Sequence, residues 1–199
     1  RPTIWLHAVS VGETRAAAPL VHALRARYPG HQILLTHTTP TGRQASEEIF
    51  ADQVLRVYLT FDLAFAVRRF LAHFRPVLGI ILETELWPNL LHQAHERAIP
   101  LALVNARLSA RSAARYARFL ALTRATLGTL QYVAAQSADD ASRLKTLGAR
   151  SVSVVGNVKF DITPARASGA IQALLTTSNT NTRPTFLCAS TREKEEEII

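Results

Sequence analysis

Four short runs of this chain are apolar almost without a break: "ILLT" (33–36), "LGIIL" (78–82), "LALV" (101–104) and "VSVV" (152–155). A strand with one wet face alternates apolar and polar residues, whereas a strand covered on both faces does not. Such runs belong to parallel sheets sandwiched between helices. The pattern predicts strands at Ile4–Ser10, Gln32–Thr38, Val54–Thr60, Val77–Glu83, Pro100–Ala106, Tyr132–Ser137 and Ser151–Gly156. Helical patterns fall between them, near Thr14–Tyr28, Gly42–Phe50, Leu63–Phe74, Pro88–Arg97, Ser112–Leu130 and Asp139–Leu147. Pro88 suits a first helical turn, and Gly30 and Gly148 suit helix ends. Repeated βα units of this kind give an α/β class domain, a parallel sheet with helices on both faces.

The pattern changes after Asn157. A polar stretch with Pro164 leads through a short helical piece to "TTSNTNTRP", and a new strand, "TFLCAS", precedes "TREKEEE". We expect a Rossmann-like domain over residues 1–160, a linker with a short helix over 161–184, and the truncated start of a second α/β domain over 185–199. The chain opens on Arg1 without a methionine and stops inside an acidic run, so we expect a piece of a longer protein. An apolar content of 48% supports a packed core. Cys188 is the single cysteine and has no internal partner, which favours a reducing compartment. No apolar run approaches the roughly 20 residues that a membrane-spanning helix needs. A net charge of +8 suits an anionic partner, whether nucleic acid, phosphorylated ligand or acidic membrane surface, without choosing among them.

In open α/β sheets ligands bind beyond the carboxyl ends of the strands. That rule selects Glu13, Thr38 to Thr41, Glu83, Glu85, Asn105, Arg107, Gln136, Ser137, Asn157 and Lys159 as residues of one rim. Glu13 has a purely structural alternative, because Ser10 and Glu13 form an S-x-x-E capping box and a helix dipole favours an acid there. Glu83 ends a buried strand, and a buried acid needs a partner; it is either a structural ion pair or the lip of a site. Trp87 of "ETELWPN" fits packing as well as a site. Arg111, Arg115 and Arg118 share one helical face at i, i+4 and i+7, either as a solvated cationic face or as a patch for phosphates. The chain has no G-x-G-x-x-G, Walker loop or G-x-S-x-G elbow, and its one cysteine and scattered histidines offer no zinc site. His7 and His37 fall within strands and read as core or edge histidines rather than ligands.

The segments "HAVSVGE", "TTPTG", "ETELWPN", "NARLSARS" and "GNVKFD", in that order, resemble the 3-deoxy-D-manno-octulosonic acid (Kdo) transferases of lipopolysaccharide synthesis. The likeness runs through nearly the whole chain. It implies a GT-B enzyme with two Rossmann-like halves, of which residues 1 to about 160 are the acceptor-binding one. It implies inverting transfer of Kdo from the donor CMP-Kdo to a hydroxyl on the glucosamine disaccharide of a lipid A precursor, with no metal and no other cofactor. It also implies an N-terminal anchor at the cytoplasmic face of the bacterial inner membrane. By resemblance, Glu13 is the general base, and Glu83 and Lys159 stabilise the transition state. Glu85 receives no role. Ser190 and Thr191 would contact the donor, in a turn where the family's pattern close to "ASTHxGEE" is replaced by "ASTREKEEE", with Arg192 for the histidine and Lys194 for the glycine. That departure puts donor contacts in the turn in doubt. The arginine row would meet the acceptor's phosphates or the anionic membrane. A chain lacking most of the donor half is expected to be inactive alone. Two rivals stand beside this reading: another GT-B sugar-nucleotide enzyme such as an epimerase, and a basic α/β module that binds nucleic acid without catalysis. The resemblance favours no nucleic-acid partner, and the second rival leaves the acids of the rim unexplained.

Overall fold

The computed structural model describes residues 1–161. They form a seven-stranded, wholly parallel sheet: β1 (Thr3–His7), β2 (Gln32–His37), β3 (Leu55–Tyr58), β4 (Pro76–Leu82), β5 (Leu101–Ala106), β6 (Tyr132–Ala135) and β7 (Val152–Val154). The strand order is β3-β2-β1-β4-β5-β6-β7, which reverses direction between β1 and β4. That reversal is the topological switch point of a doubly wound sheet. The linker and second-domain expectations fall outside the described residues, apart from Asp161.

Helices α1 (Val11–Arg27) and α2 (Pro40–Phe50) cover one face, over a core of Ile4, Leu6, Ala17, Val21, Leu35 and Phe50. Helices α3 (Ala64–Phe74), α4 (Pro88–Glu96), α6 (Leu120–Leu127) and α7 (Ala138–Thr146) supply the other core, with α5 (Ala110–Ala117) along its edge. Neighbouring residues of β1 serve opposite cores, Trp5 on one side and Ile4 and Leu6 on the other. This is the physical content of the unbroken apolar runs, since each full burial of such a side chain is worth about 1.5–3 kcal/mol. Trp5 is fully buried, edge-on to Phe70 at 5.5 Å, and its Nε1 donates to Thr36 Oγ1 at 2.8 Å. Gly79, opposite it on β4, has no room for a side chain: a Cβ there would sit 2.5 Å from Leu101 and 2.9 Å from the Trp5 ring.

Two differences from the sequence pattern have local causes. Six of the seven strands end one to three residues short of the expected bounds, and after β1, β2 and β6 the residues that follow leave the sheet to cap helices. Ser10, Thr39 and Ser137 accept from the backbone N–H groups of Glu13, Gly42 and Asp140. The expected single helix Ser112–Leu130 is two helices, broken at Phe119, whose φ of −120° and ψ of 46° leave the helical region. The carbonyl freed at the break, that of Tyr116, accepts from Phe119 N at 3.1 Å and from Thr123 Oγ1 at 2.9 Å, so the interruption leaves no orphan there.

Candidate active site

The carboxyl ends of β1, β4 and β5 and the turn after β7 bring the selected residues onto one rim. The loop after β1 is held by its own acid. Glu13 Oε1 accepts from Ser10 Oγ at 2.8 Å, and Oε2 accepts from Val9 N at 2.8 Å. Ser10 Oγ in turn accepts from Glu13 N at 3.3 Å. This is a capping box whose acid reaches one residue further back than usual. Glu13 is only 7% exposed. The start of α2 packs tightly against the same loop: Thr39 Oγ1 donates to Val9 O at 2.9 Å, and a Cβ on Gly42 would lie 2.7 Å from that oxygen.

The loop after β4 is built differently. Glu83 takes a left-handed φ of 56° while its N–H still donates to Val104 O at 2.9 Å. A non-glycine residue in that region carries strain of order 1–3 kcal/mol. Its half-exposed carboxylate meets Lys159 Nζ at 3.2 Å. Thr84 Oγ1 bridges to the backbone of Arg107, accepting from its N–H at 3.2 Å and donating to its carbonyl. Trp87 Nε1 donates to Glu85 Oε2 at 3.1 Å, and the Trp87 ring stands edge-on to His7 at 5.9 Å. Burial pushes the Glu85 carboxyl above the usual carboxylate range; the Trp87 bond opposes this, and the negative charges of Glu13 and Glu83 add to it. Glu85 is thus within electrostatic reach of both other acids. Burial pushes the phenol of Tyr116 on α5 up, and the charge of Glu85 adds to this while that of Arg115 opposes it.

Lys159 lies in a 3-10 turn, Val158–Asp161, that packs beside α1. Its own N–H donates to Asn157 Oδ1 at 3.0 Å, and Val158 N donates to Asn105 Oδ1 at 3.3 Å. Asn105 is fully buried, with a left-handed φ of 57° at a register shift between β5 and β6.

Beneath the rim lie two buried histidines. Burial lowers His7 to about 4, against the effect of a hydrogen bond to Thr36, and burial likewise lowers His37, whose Nδ1 donates to Ala8 O at 2.9 Å. Both are neutral core residues, as their strand positions suggest. Among the described residues no group of three or more His, Cys, Asp or Glu could hold a metal ion. Arg111, Arg115 and Arg118 are all exposed, with no ion-pair partner among the described residues. The helix break leaves Arg118 as the cap of α5 rather than a residue within a longer helix. No described helix is long and apolar enough to cross a membrane. Ser190 and Thr191 lie outside the described residues. Sequence reasoning missed Tyr116, which lies within the arginine row and carries no motif of its own. It also missed Asp62, whose carboxylate caps α4 from 27 and 28 residues away by accepting from Asn89 N and Leu90 N.

A doubly wound parallel sheet of this kind is the architecture of one Rossmann-like half of the GT-B fold. Solved structures share the fold. A UDP-GlcNAc 2-epimerase from Neisseria meningitidis, bound to UDP-GlcNAc, matches with a TM-score of 0.59 and 15% identity, over 89% of this chain and 51% of that one. A transferase from Siraitia grosvenorii in complex with UDP matches with a TM-score of 0.51 and 10% identity, over 87% of this chain and 54% of the other. The chain belongs to the 3-deoxy-D-manno-octulosonic-acid transferase (Kdo transferase) family, whose sequence profile matches residues 1–162. Proteins named 3-deoxy-D-manno-octulosonic acid transferase from Haemophilus influenzae and Bordetella pertussis are each 42% identical to it, over 98% of this chain. The chain spans 46% of the length of each.

Proposed function

We propose that this chain is the acceptor-binding half of an inverting transferase that moves Kdo from CMP-Kdo to a hydroxyl of the glucosamine disaccharide of a lipid A precursor. Family membership supports the class of reaction. The observation that carries the residue assignment is the pairing of Glu83 with Lys159 across 76 residues, at the same sheet end as Glu13, whose strand β1 runs parallel beside β4.

Glu13 takes the proton of the acceptor hydroxyl as that oxygen forms its bond to the anomeric carbon. The carbon–oxygen bond to CMP breaks on the opposite side, and CMP leaves with the electron pair on its phosphate. Val9 N and Ser10 Oγ occupy one lone-pair direction on each Glu13 oxygen. They fix the carboxylate while leaving acceptor capacity on both atoms. Glu83 favours the positive charge that builds on the sugar ring as the bond to phosphate breaks, and Lys159 offsets negative charge on the donor carboxylate or the departing phosphate. No step calls for a metal, so a chelator leaves the rate unchanged. Arg111, Arg115 and Arg118 face the acceptor's phosphates or the anionic inner-membrane surface at its cytoplasmic side. Ser190 and Thr191 belong to the donor side.

The deciding experiment uses the full-length enzyme. Glu13→Gln keeps the hydrogen-bonding shape of the box but removes the base, so transfer falls by at least about 10²-fold with the circular dichroism spectrum unchanged. Near-normal turnover would reduce Glu13 to a helix cap.

A further inference from the structure

Asn105 stands out among the rim residues because its backbone is strained and its side chain is sealed. It is 0% exposed, and its φ is 57°. Asparagine tolerates left-handed backbone better than most residues, but holding it there still requires the surroundings to enforce it. The surroundings are three segments that close around it. Its Oδ1 accepts from Val158 N at 3.3 Å. Its carbonyl accepts from Gln136 Nε2 at 3.0 Å, at the end of β6. The residue before it, Val104, accepts from the N–H of Glu83 at 2.9 Å. One end of the Glu83–Lys159 pair therefore hangs on the backbone next to Asn105, and the other follows the residue held by its side chain. Asn105 Nδ2 has no hydrogen-bond partner among the described residues, so the oxygen is the working atom of the side chain.

We propose that Asn105 is the positioning residue that sets Lys159 against Glu83, the left-handed bulge at the end of β5 being the feature that aims its oxygen at the Val158 N–H. This rests on the reading of Lys159 above. The lysine side chain is long and half-exposed, and its ion pair alone fixes it weakly. A backbone anchor one residue away confines the start of that side chain. In a site of this kind a misplacement of about 1 Å costs on the order of 10²-fold in rate.

The test measures transfer by the full-length enzyme carrying Lys159→Met, Asn105→Gly, Asn105→Asp and the Lys159→Met/Asn105→Gly pair, with thermal unfolding to confirm the fold. Glycine accepts the left-handed backbone but has no anchor; aspartate keeps both the tolerance and the oxygen. Lys159→Met is expected to lower kcat by tenfold or more. Asn105→Gly is expected to fall to within about threefold of it, Asn105→Asp to retain more than the glycine variant, and the double variant to be no worse than Lys159→Met alone. Losses that multiply in the double variant, a wild-type rate for Asn105→Gly, or an aspartate variant no better than glycine overturns the proposal. A wild-type rate for Lys159→Met instead removes the role of Lys159 itself, so the two failures are distinct.

Discussion

The loop after β1 holds Glu13 with atoms of Val9 and Ser10, four and three positions away, whereas the loop after β4 holds Glu83 with a lysine 76 positions away. The first arrangement assembles with the helix it caps. A side-chain cap is typically worth about 1 kcal/mol, so the acid is held by a contact that folding already favours. The second runs against local preference. Glu83 adopts a strained backbone, and a half-exposed Lys–Glu pair returns only about 0.2–1 kcal/mol. Stability alone gives little reason to keep that loop. A site explains it, because the strained turn carries one acid to the lysine and puts another, Glu85, beside Trp87.

The two loops share a floor. Trp87 of the second packs on His7, the last residue of the strand that leads into the first. The folded state holds His7 neutral down to about 4, against 6.5 for the free side chain. Between those values the unfolded chain binds the extra proton, so stability rises with pH across the window and is lost as pH falls through it. The full loss is on the order of 3 kcal/mol. Chemical denaturation from pH 7 to 4 should show this slope, to which His37, also lowered by burial, adds; His7→Gln should reduce it. A slope undiminished in the variant would mean that the floor is not what the two loops share under acid.

Above the floor the loops should part. Ser10→Ala removes the cap and one of the two bonds to Glu13, and is expected to cost about 1 kcal/mol in stability together with activity. Lys159→Met is expected to cost less than about 1 kcal/mol in stability while lowering transfer at least tenfold. Measured side by side by denaturation and transfer rate, the two variants separate a feature used for both folding and chemistry from one used for chemistry alone. Equal stability losses would break the contrast.

The same division governs what could be read in advance. The parallel sheet was visible because double-faced burial leaves apolar runs in the chain, as in "LGIIL" and "LALV". The capping box was visible because its members stand three residues apart. The Glu83–Lys159 contact has no sequence period: the strand-end rule put both residues on one rim and the resemblance gave each a role, but neither named the pair. Asp62 capping α4 left no local sign either, since it is settled by hydrogen bonds across segments, and the interruption at Phe119 falls at a residue with no helix-breaking chemistry. The positive φ values of Glu83 and Asn105 belong to the same class: neither position carries the glycine that would announce such a turn.

The strain at Glu83 gives the smallest effect and the sharpest form of the comparison. Glycine takes a left-handed φ without a Cβ clash, although it adds freedom to the unfolded chain. The ion pair lost is half-exposed and weak. Glu83→Gly is therefore expected to leave the protein as stable as before or to gain about 0.5–1 kcal/mol, while transfer falls. Glu13→Gly should not behave this way, because losing that side chain removes the bonds to Val9 and Ser10 and loosens the box that caps α1. A destabilised Glu83→Gly in thermal unfolding would mean that the carboxylate, with Lys159, supports the fold more than its exposure implies, and the two loops would then be alike.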